Sequence, residues 1–223
     1  MLALAALSYA TGAEGPARAP TALPASAAAE LRASLEAARR HAHHVWRDTA
    51  PLAGAGLVNA YVEIPAGERT KWEFDMGANE RAVDRMMPAD VGGYPVNYGF
   101  VPQTVFDDGD PFDALVLGPP LTGGRLTQGV IVGLLLMEDE NGIDSKVVLS
   151  PADADGQPTH RLDVETRERI ARFFASYKRH EPDGFSKVSG WGSPADGGAH
   201  VDAAHAFFLR CRERSTRPCR LTR

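Results

Sequence analysis

Short apolar segments separated by turn residues occupy the chain from residue 57 to residue 150. The longest of them, residues 130–137, is interrupted by a single glycine and is typical of a buried strand. Turns that contain glycine or proline separate the segments, as in chains that fold back repeatedly on themselves. The other segments predicted as strands are 57–64, 72–75, 82–85, 96–101, 113–117 and 146–149. Their length and spacing predict a small, curled antiparallel sheet or barrel.

Helical periodicity lies on both sides of this β-rich region. Before it, an alanine-rich segment that starts at Ser26 carries Leu31 and Leu35 four positions apart, which predicts a helix. After it, Asp163 is placed to cap one helix, and a second helix is predicted around residues 201–214. The apolar stripes of these two helices are expected in the core: Ile170, Phe173, Phe174 and Tyr177, then Ala204, Phe207, Phe208 and Cys211.

Three histidines, His41, His43 and His44, lie at the end of the first predicted helix, which is expected to run into them. Clustered imidazoles raise the hypothesis of a metal site. Imidazoles beside alanines in a helix more often form a solvated face, and this is the interpretation that we favour.

The composition is that of an ordinary globular chain. Its 223 residues are 43% hydrophobic and 24% charged, which is enough for one substantial domain. Twenty-four basic and 29 acidic residues give a net charge of -5, which argues against a nucleic-acid partner. No apolar run reaches the length of a membrane span. We predict a leader and helical extension over residues 1–50, a main domain over 51–214 and a tail over 215–223.

The two ends of the chain leave questions open. Residues 1–13 are apolar and rich in small residues, like the core of an export signal, but they lack a basic start. A cytoplasmic protein is therefore expected, with an exported protein as the alternative. Cys211 and Cys219 do not have the spacing of a zinc site. A disulfide between them would close a short loop, and the sequence does not decide whether it forms.

The densest chemical signal is the acidic loop, residues 107–113, with the sequence DDGDPFD. Four carboxylates within seven residues repel one another, so a folded chain tolerates them when a positive charge compensates. Hard divalent cations prefer oxygen ligands, and Mg²⁺ takes one or two carboxylates together with waters and substrate phosphates. Taken alone, the loop is explained equally well by a solvated Asp-Gly turn between two strands.

A second acidic cluster favours the metal interpretation. Asp139 follows the long apolar strand, an Asn-Gly turn comes next, and Asp144 and Lys146 begin the following segment. A hairpin at this turn would place Asp139 near Asp144, while the alternation of a strand puts Asp144 and Lys146 on one face. Carboxylates can anchor metal ions there, and a lysine can neutralise phosphate oxygens.

Further ionisable and phenolic side chains lie on the neighbouring segments. Any one of them is easily a surface charge or a packed aromatic ring. Together with the two acidic clusters they match the general requirement of phosphoryl transfer, in which cations and basic donors converge on a small site. These residues are Glu63, Lys71, Glu73, Arg85, Tyr98, Tyr177 and Lys178.

Six motifs in a fixed order resemble those of the family I soluble inorganic pyrophosphatases. The segment DGDPFDA at 108–114 is similar to the family's signature, D-x-D-P-x-D. The others are VEIPAGERTKWEFD at 62–75, VDRMMP at 83–88, YPVNYGFVPQT at 94–104, MEDENGIDSK at 137–146 and FFASYKRHE at 173–181. The resemblance covers roughly residues 57–210. It implies a mainly β fold with flanking helices (α+β), built on a compact five-stranded OB-like β-barrel.

The resemblance also implies a role for each site residue. Asp110 corresponds to the residue that orients the attacking water and accepts its proton. Residues that correspond to ligands of several Mg²⁺ ions are Asp108, Asp113, Asp139, Asp144 and Glu73, with Glu63 in the outer shell. Residues that correspond to phosphate-binding groups are Lys71, Arg85, Tyr98, Lys146, Tyr177 and Lys178. The implied reaction is direct attack of water on pyrophosphate, without a covalent intermediate.

The expected partner is therefore pyrophosphate, in a protein that binds neither nucleic acid nor a membrane. By resemblance a homo-oligomer is expected, either a hexamer or a dimer. Three other functions are alternatives: an OB-like binding module without catalysis, a hydrolase of organic phosphates such as nucleotides, and an inactive family member. The acidic surface opposes the first, because phosphate backbones need basic partners. No motif specifies a base for the second, and the complete set of aspartates opposes the third.

Overall fold

The structure, a computed structural model, describes residues 23–54, 56–182 and 184–213. Residues 1–13, predicted as a possible export signal, and Cys219 lie outside this part of the chain. The described helices are α1 (Ala25–Ala38), α2 (Val45–Asp48), α3 (Val164–Phe174) and α4 (Pro194–Glu213). The described strands are β1 (Val58–Ile64), β2 (Thr70–Asp75), β3 (Glu80–Met86), β4 (Asn97–Phe100), β5 (Asp113–Val116), β6 (Arg125–Asp139), β7 (Gly142–Ile143), β8 (Lys146–Ser150) and β9 (Ser186–Gly192).

Five strands close into a ring. The order of hydrogen-bonded neighbours is β1-β4-β5-β8-β6, and β6 pairs again with β1. This arrangement confirms the predicted mainly β fold of five ring strands with flanking helices. The ring is not purely antiparallel, as the strand pattern had suggested, because β5 and β8 run parallel. Along the chain, β6 comes between β5 and β8. It runs antiparallel to β8, and β8 therefore has the same direction as β5.

The contact between β1 and β4 is unusually close at Gly99. A Cβ atom on this glycine would lie 1.8 Å from the carbonyl oxygen of Tyr61, inside any possible contact distance. Gly99 is paired with Val62 in the ladder, and every residue of β1 is buried. A glycine is therefore required for these two strands to pair.

Two parts of the β structure differ from the sequence prediction. Strands β2 and β3 pair only with each other in a separate two-stranded sheet beside the ring. Strand β9, which the sequence analysis did not predict, pairs with β6 from Leu134 to Asp139. Its sequence, SKVSGWG, contains two glycines and lacks an apolar run, which explains why the pattern missed it.

Helix α1 packs onto the ring rather than extending into solvent. Its Leu31 and Leu35 are buried in a cluster that also contains Tyr61 and Phe100 of the ring and Phe208 of α4. Burying two leucines in this way contributes roughly 3–6 kcal/mol of transfer free energy. The described part of the predicted N-terminal extension is therefore attached to the main domain by apolar contacts.

The prediction that the helix runs into the histidines was wrong. Helix α1 ends at Ala38, and a turn leads to His44, which caps α2. His44 is fully buried, and both of its ring nitrogens have hydrogen-bond partners. Nδ1 accepts from the amide of Arg47, and Nε2 donates to the carbonyl of Met76. Among the described residues, no group of three histidine, cysteine or acidic side chains is arranged to hold a metal ion. The predicted solvated face fits the exposed His43 but is wrong for His44, whose buried ring is hydrogen-bonded between α2 and the residue after β2.

The two C-terminal helices carry their predicted apolar stripes into the core. Asp163 caps α3 by accepting a hydrogen bond from the amide of Thr166, as predicted. Helix α4 begins at Pro194, seven residues earlier than the sequence indicated. Ser193 and Asp196 exchange hydrogen bonds there as a capping pair, which compensates for the two glycines that follow. No helix in the described part of the chain has the length and apolar content that crossing a membrane requires.

Candidate active site

A cavity of about 480 Å³ opens at one end of the ring. It is bordered by strand ends, the β2–β3 hairpin, the acidic loop, the end of α3 and one face of α1. All twelve site residues selected from the sequence line it: Lys71, Glu73, Arg85, Tyr98, Asp108, Asp110, Asp113, Asp139, Asp144, Lys146, Tyr177 and Lys178. The fold thus brings together residues that are up to 107 positions apart in the chain, from Lys71 to Lys178.

Lys146 lies at the inner end of the cavity. Its side chain is buried, and its Nζ donates to Asp144 at 2.7 Å and also to Asp113. Burial alone would lower the pKa of this ammonium, but the two carboxylates outweigh it and raise the pKa well above its ordinary value. Tyr98 completes the group by donating its hydroxyl to Asp113 at 2.7 Å. Lys146 is therefore a permanent positive charge at the inner end of the cavity.

The carboxyl group of Asp144 is held in the same network. Burial raises its pKa to about 7, and the neighbouring Lys146 opposes this shift. Glu63 lies deeper, and burial followed by repulsion from Asp113 raises its pKa well above the ordinary value. Its Oε1 accepts a hydrogen bond from the amide of Phe74 at 2.7 Å. A nearby cation would stabilise the ionised form of both carboxyl groups.

The remaining basic residues also hold acidic partners. Lys178 donates to Asp139 at 2.8 Å and to Glu140 at 2.6 Å, which ties the end of α3 to the end of β6. Lys71 on β2 contacts Glu73 and Asp84. Arg85 on β3 contacts Asp84 and, across the cavity, Glu181. Each basic side chain is thereby positioned at the cavity wall.

The acidic loop forms the opposite wall. The amide of Asp110 donates to Asp108 at 3.0 Å, and Gly109 between them has a φ of 98°, which favours glycine. Burial and repulsion from Asp110 raise the pKa of Asp108 to about 7. Asp110 stays open to the cavity, yet burial by the surrounding walls and repulsion from Asp113 raise its pKa to about 6. Asp108 and Asp110 both have a raised pKa, so each carboxylate is suited to accept a proton or to be stabilised by a bound cation.

The donor set of the cavity fits divalent metal ions. Among the described residues, ten carboxylates line it against four basic side chains, so a polyanion cannot enter without added positive charge. In the described part of the chain, no three acidic side chains already converge on one point where a metal ion could bind, and lysines hold several of them. Oxygen donors of this kind, spaced for waters and phosphate oxygens to complete the shell, suit Mg²⁺ better than softer metals.

The cavity lining also contains polar residues that the sequence did not assign to the site, among them Glu30, Ser34, Glu140 and Glu181. Glu30 and Ser34 come from α1, one helical turn apart, and no motif covers that helix. Glu140 and Glu181 flank predicted site residues and lie within the quoted motifs. Their position beside Asp139 and Lys178 was the available signal.

Carboxylates and basic side chains that converge in one cavity of a closed β ring are what a hydrolase of phosphate compounds with a divalent metal cofactor requires. The sequence model described as inorganic pyrophosphatase matches residues 60–208 of this chain. The chain therefore belongs to the inorganic pyrophosphatase family.

Relatives and solved structures agree with this assignment. An inorganic pyrophosphatase of Saccharolobus solfataricus is 38% identical over 154 residues, covering 66% of this chain and 89% of the relative. One from Aeropyrum pernix is 40% identical over 147 residues, covering 63% and 83%. The structure of the Thermus thermophilus enzyme matches with a TM-score of 0.68 and 32% identity, covering 75% and 99%. The Coxiella burnetii structure gives 0.66 and 36%, covering 72% and 99%.

Proposed function

We propose that this protein hydrolyses inorganic pyrophosphate to two phosphates in a reaction that depends on Mg²⁺. The observation that carries the proposal is one cavity in which ten carboxylates and four basic side chains of the described residues converge. The family assignment supports the substrate, and the oxygen donors support the metal. A cytoplasmic location, with export as the alternative, remains a prediction from the N-terminal sequence, and assembly into a hexamer or dimer remains a prediction from the resemblance.

The basic side chains bind the substrate in this proposal. Lys146 neutralises phosphate oxygens from the inner end, and the remaining donors fix the two phosphates from the sides. Carboxylates already hold these basic side chains in place. The side chains therefore move little when a phosphate oxygen replaces a carboxylate partner. The residues assigned to the phosphates are Lys71, Arg85, Tyr98, Lys146, Tyr177 and Lys178.

Five acidic residues are assigned to the metal ions: Asp108, Asp113, Asp139, Asp144 and Glu73. Bound Mg²⁺ would supply positive charge to the phosphates and acidify a coordinated water. Asp110 orients the attacking water and accepts its proton, for which a pKa of about 6 is well placed. The leaving phosphate departs toward the basic side chains, and no protein atom forms a covalent bond with phosphorus.

Phosphate release from pyrophosphate and from ATP tests the proposal. We expect rapid release from pyrophosphate with Mg²⁺, at least about a hundredfold slower release from ATP, and none with excess EDTA. Equal rates on the two substrates would favour a nucleotide hydrolase instead. Activity that survives EDTA would reject the metal assignment. Salt-dependent binding of single-stranded DNA in EDTA, without phosphate release, would identify a binding module.

A further inference from the structure

Helix α1 lies outside the residues that match the family, yet it forms one side of the cavity. Glu30 and Ser34 both line the cavity together with Asp108 and Asp110 of the acidic loop. On the adjacent stripe of the same helix, Leu31 and Leu35 are buried against the ring. Apolar packing therefore fixes the orientation in which α1 faces the cavity.

The helix touches the acidic loop directly. A Cβ atom on Gly109 would lie 3.1 Å from the Cβ of Ala27 and 3.1 Å from its carbonyl oxygen. Ala27 is itself buried, so its methyl group fills the space against the backbone of the loop. The short side chains at both positions allow this close approach, and no larger group fits between them.

The other side of the loop is held by the ring and α4. The amide of Phe106 donates to the carbonyl of Asp110 at 2.8 Å, which closes the loop on itself. The ring of Phe106 stacks on that of Phe112 at 4.6 Å between centroids. With Ala27 on the outside, the loop is held between two packed surfaces.

We propose that α1 is a working part of the active site, in which Ala27 positions the acidic loop that carries Asp108 and Asp110. The inference rests on the proposed function, which gives these two aspartates their roles in cation binding and proton transfer. Phosphoryl transfer depends mostly on positioning, so a displaced loop lowers turnover without loosening the phosphates, which other elements bind.

The test compares Ala27→Leu with Ala29→Leu. Ala29 is exposed on the same helix, so its substitution adds the same atoms without touching the loop. We expect Ala27→Leu to lower kcat for pyrophosphate about tenfold or more while KM changes less than about threefold. Ala29→Leu should have the kcat of the wild type. Ala27→Ser, whose side chain is close to alanine in size, should also have the kcat of the wild type. Thermal unfolding of each variant confirms that it is folded.

Binding of Mg²⁺ without substrate, measured by titration calorimetry, is the second readout. We expect Ala27→Leu to weaken binding about threefold or more and Ala29→Leu to leave it unchanged. Unchanged kcat and cation affinity in a folded Ala27→Leu protein would overturn the proposal. If that variant does not fold, Ala27→Val replaces it, and failure of both while Ala29→Leu folds would assign Ala27 to the core alone. A wild type that releases no phosphate contradicts the proposed function, whereas the calorimetry still tests the helix.

Discussion

At the scale of single residues, the cavity shows how a buried charge is tolerated. Removing an ammonium from water costs several kcal/mol, and Lys146 recovers this through two carboxylates and the rings that surround it. Its Nζ lies 5.7 Å from the ring centre of Tyr98 and 5.5 Å from that of Phe174. The same carboxylates are needed by metal ions in the proposed reaction. In that proposal Lys146 and the cations would share ligands, and this sharing would couple cation binding to phosphate binding.

Replacement of Asp110 tests the assignment of the proton acceptor. Asp110→Asn keeps the size of the side chain but removes its basicity, so we expect kcat to fall by about 10² to 10⁴ with the fold unchanged. Asp107→Asn is the matched control, because Asp107 belongs to the same loop but does not line the cavity. Steady-state phosphate release measures both. An Asp110→Asn protein with near wild-type kcat would remove this residue from the mechanism.

The buried His44 predicts a dependence of stability on pH. Burial lowers its pKa below the ordinary value of 6.5, and its Nδ1 must stay unprotonated to accept from Arg47. Stability that depends on neutral His44 is complete above pH 6.5 and is lost as the pH falls below that value. Urea unfolding at pH 7.5 and 5.5 should show a smaller loss for His44→Asn, since asparagine also caps helices.

His43→Asn is the control for this measurement. His43 is exposed and its ring lies 3.9 Å from the carboxylate of Asp48, so its substitution should change the loss of stability between pH 7.5 and 5.5 by less than about 1 kcal/mol. If His44→Asn shows the full wild-type loss, His44 is not responsible for it.

At the scale of elements, the sequence predicted most of what periodicity can reveal. Seven strands, α3 with its cap and twelve cavity residues within the quoted motifs were found because each has a regular pattern or a dense set of charges. Strand β9 and the first two turns of α4 were missed because glycines interrupt their patterns. Glu30 was missed as a site residue because its position depends on how α1 docks. Docking is a tertiary event that no local pattern encodes.

Two adjacent glycines in α4 give opposite predictions. A Cβ on Gly198 would meet only Ile131 Cδ1 at 3.9 Å, so Gly198→Ala should stabilise the protein by about 1 kcal/mol through helix propensity. A Cβ on Gly197 would lie 2.8 Å from Ile131 Cγ2 and 3.1 Å from the carbonyl oxygen of Gly133. Gly197→Ala should therefore destabilise by about 1–3 kcal/mol. Urea unfolding distinguishes them, and equal effects would contradict the packing of α4 on β6.

At the scale of the whole molecule, the closed ring is the support on which the site depends. Closure gives every ring strand two neighbours, so none of the five is left as an unpaired edge. The cavity walls come from β1, β2, β3, β4, β5, β6 and β8 together with α1 and the turn that follows α3. A change that opens the ring would thus separate the acidic wall from the basic side chains.

Gly99→Ala is the direct test of ring closure. The added methyl group overlaps the carbonyl oxygen of Tyr61, so we expect a loss of more than about 3 kcal/mol in the free energy of unfolding. Gly198→Ala, the same chemical change at an accommodating position, is the control. Activity should be lost in proportion to the unfolded fraction. A Gly99→Ala protein as stable as the wild type would show that β1 and β4 need no such close approach.

The pairing of β1 with β6 also sets the order in which the molecule can fold. Val58 meets Gly129, and Tyr61 meets Leu126, so the ring closes between strands that lie far apart in the chain. During synthesis on a ribosome, β1 emerges long before β6, its second neighbour in the ring, has been made. Side chains of β1 that the finished ring buries stay exposed until then. Contacts of such long range slow folding, since much chain entropy is lost before they form. The closure that protects the finished protein from unpaired edges therefore exposes β1 during synthesis, when the risk of misassociation is greatest.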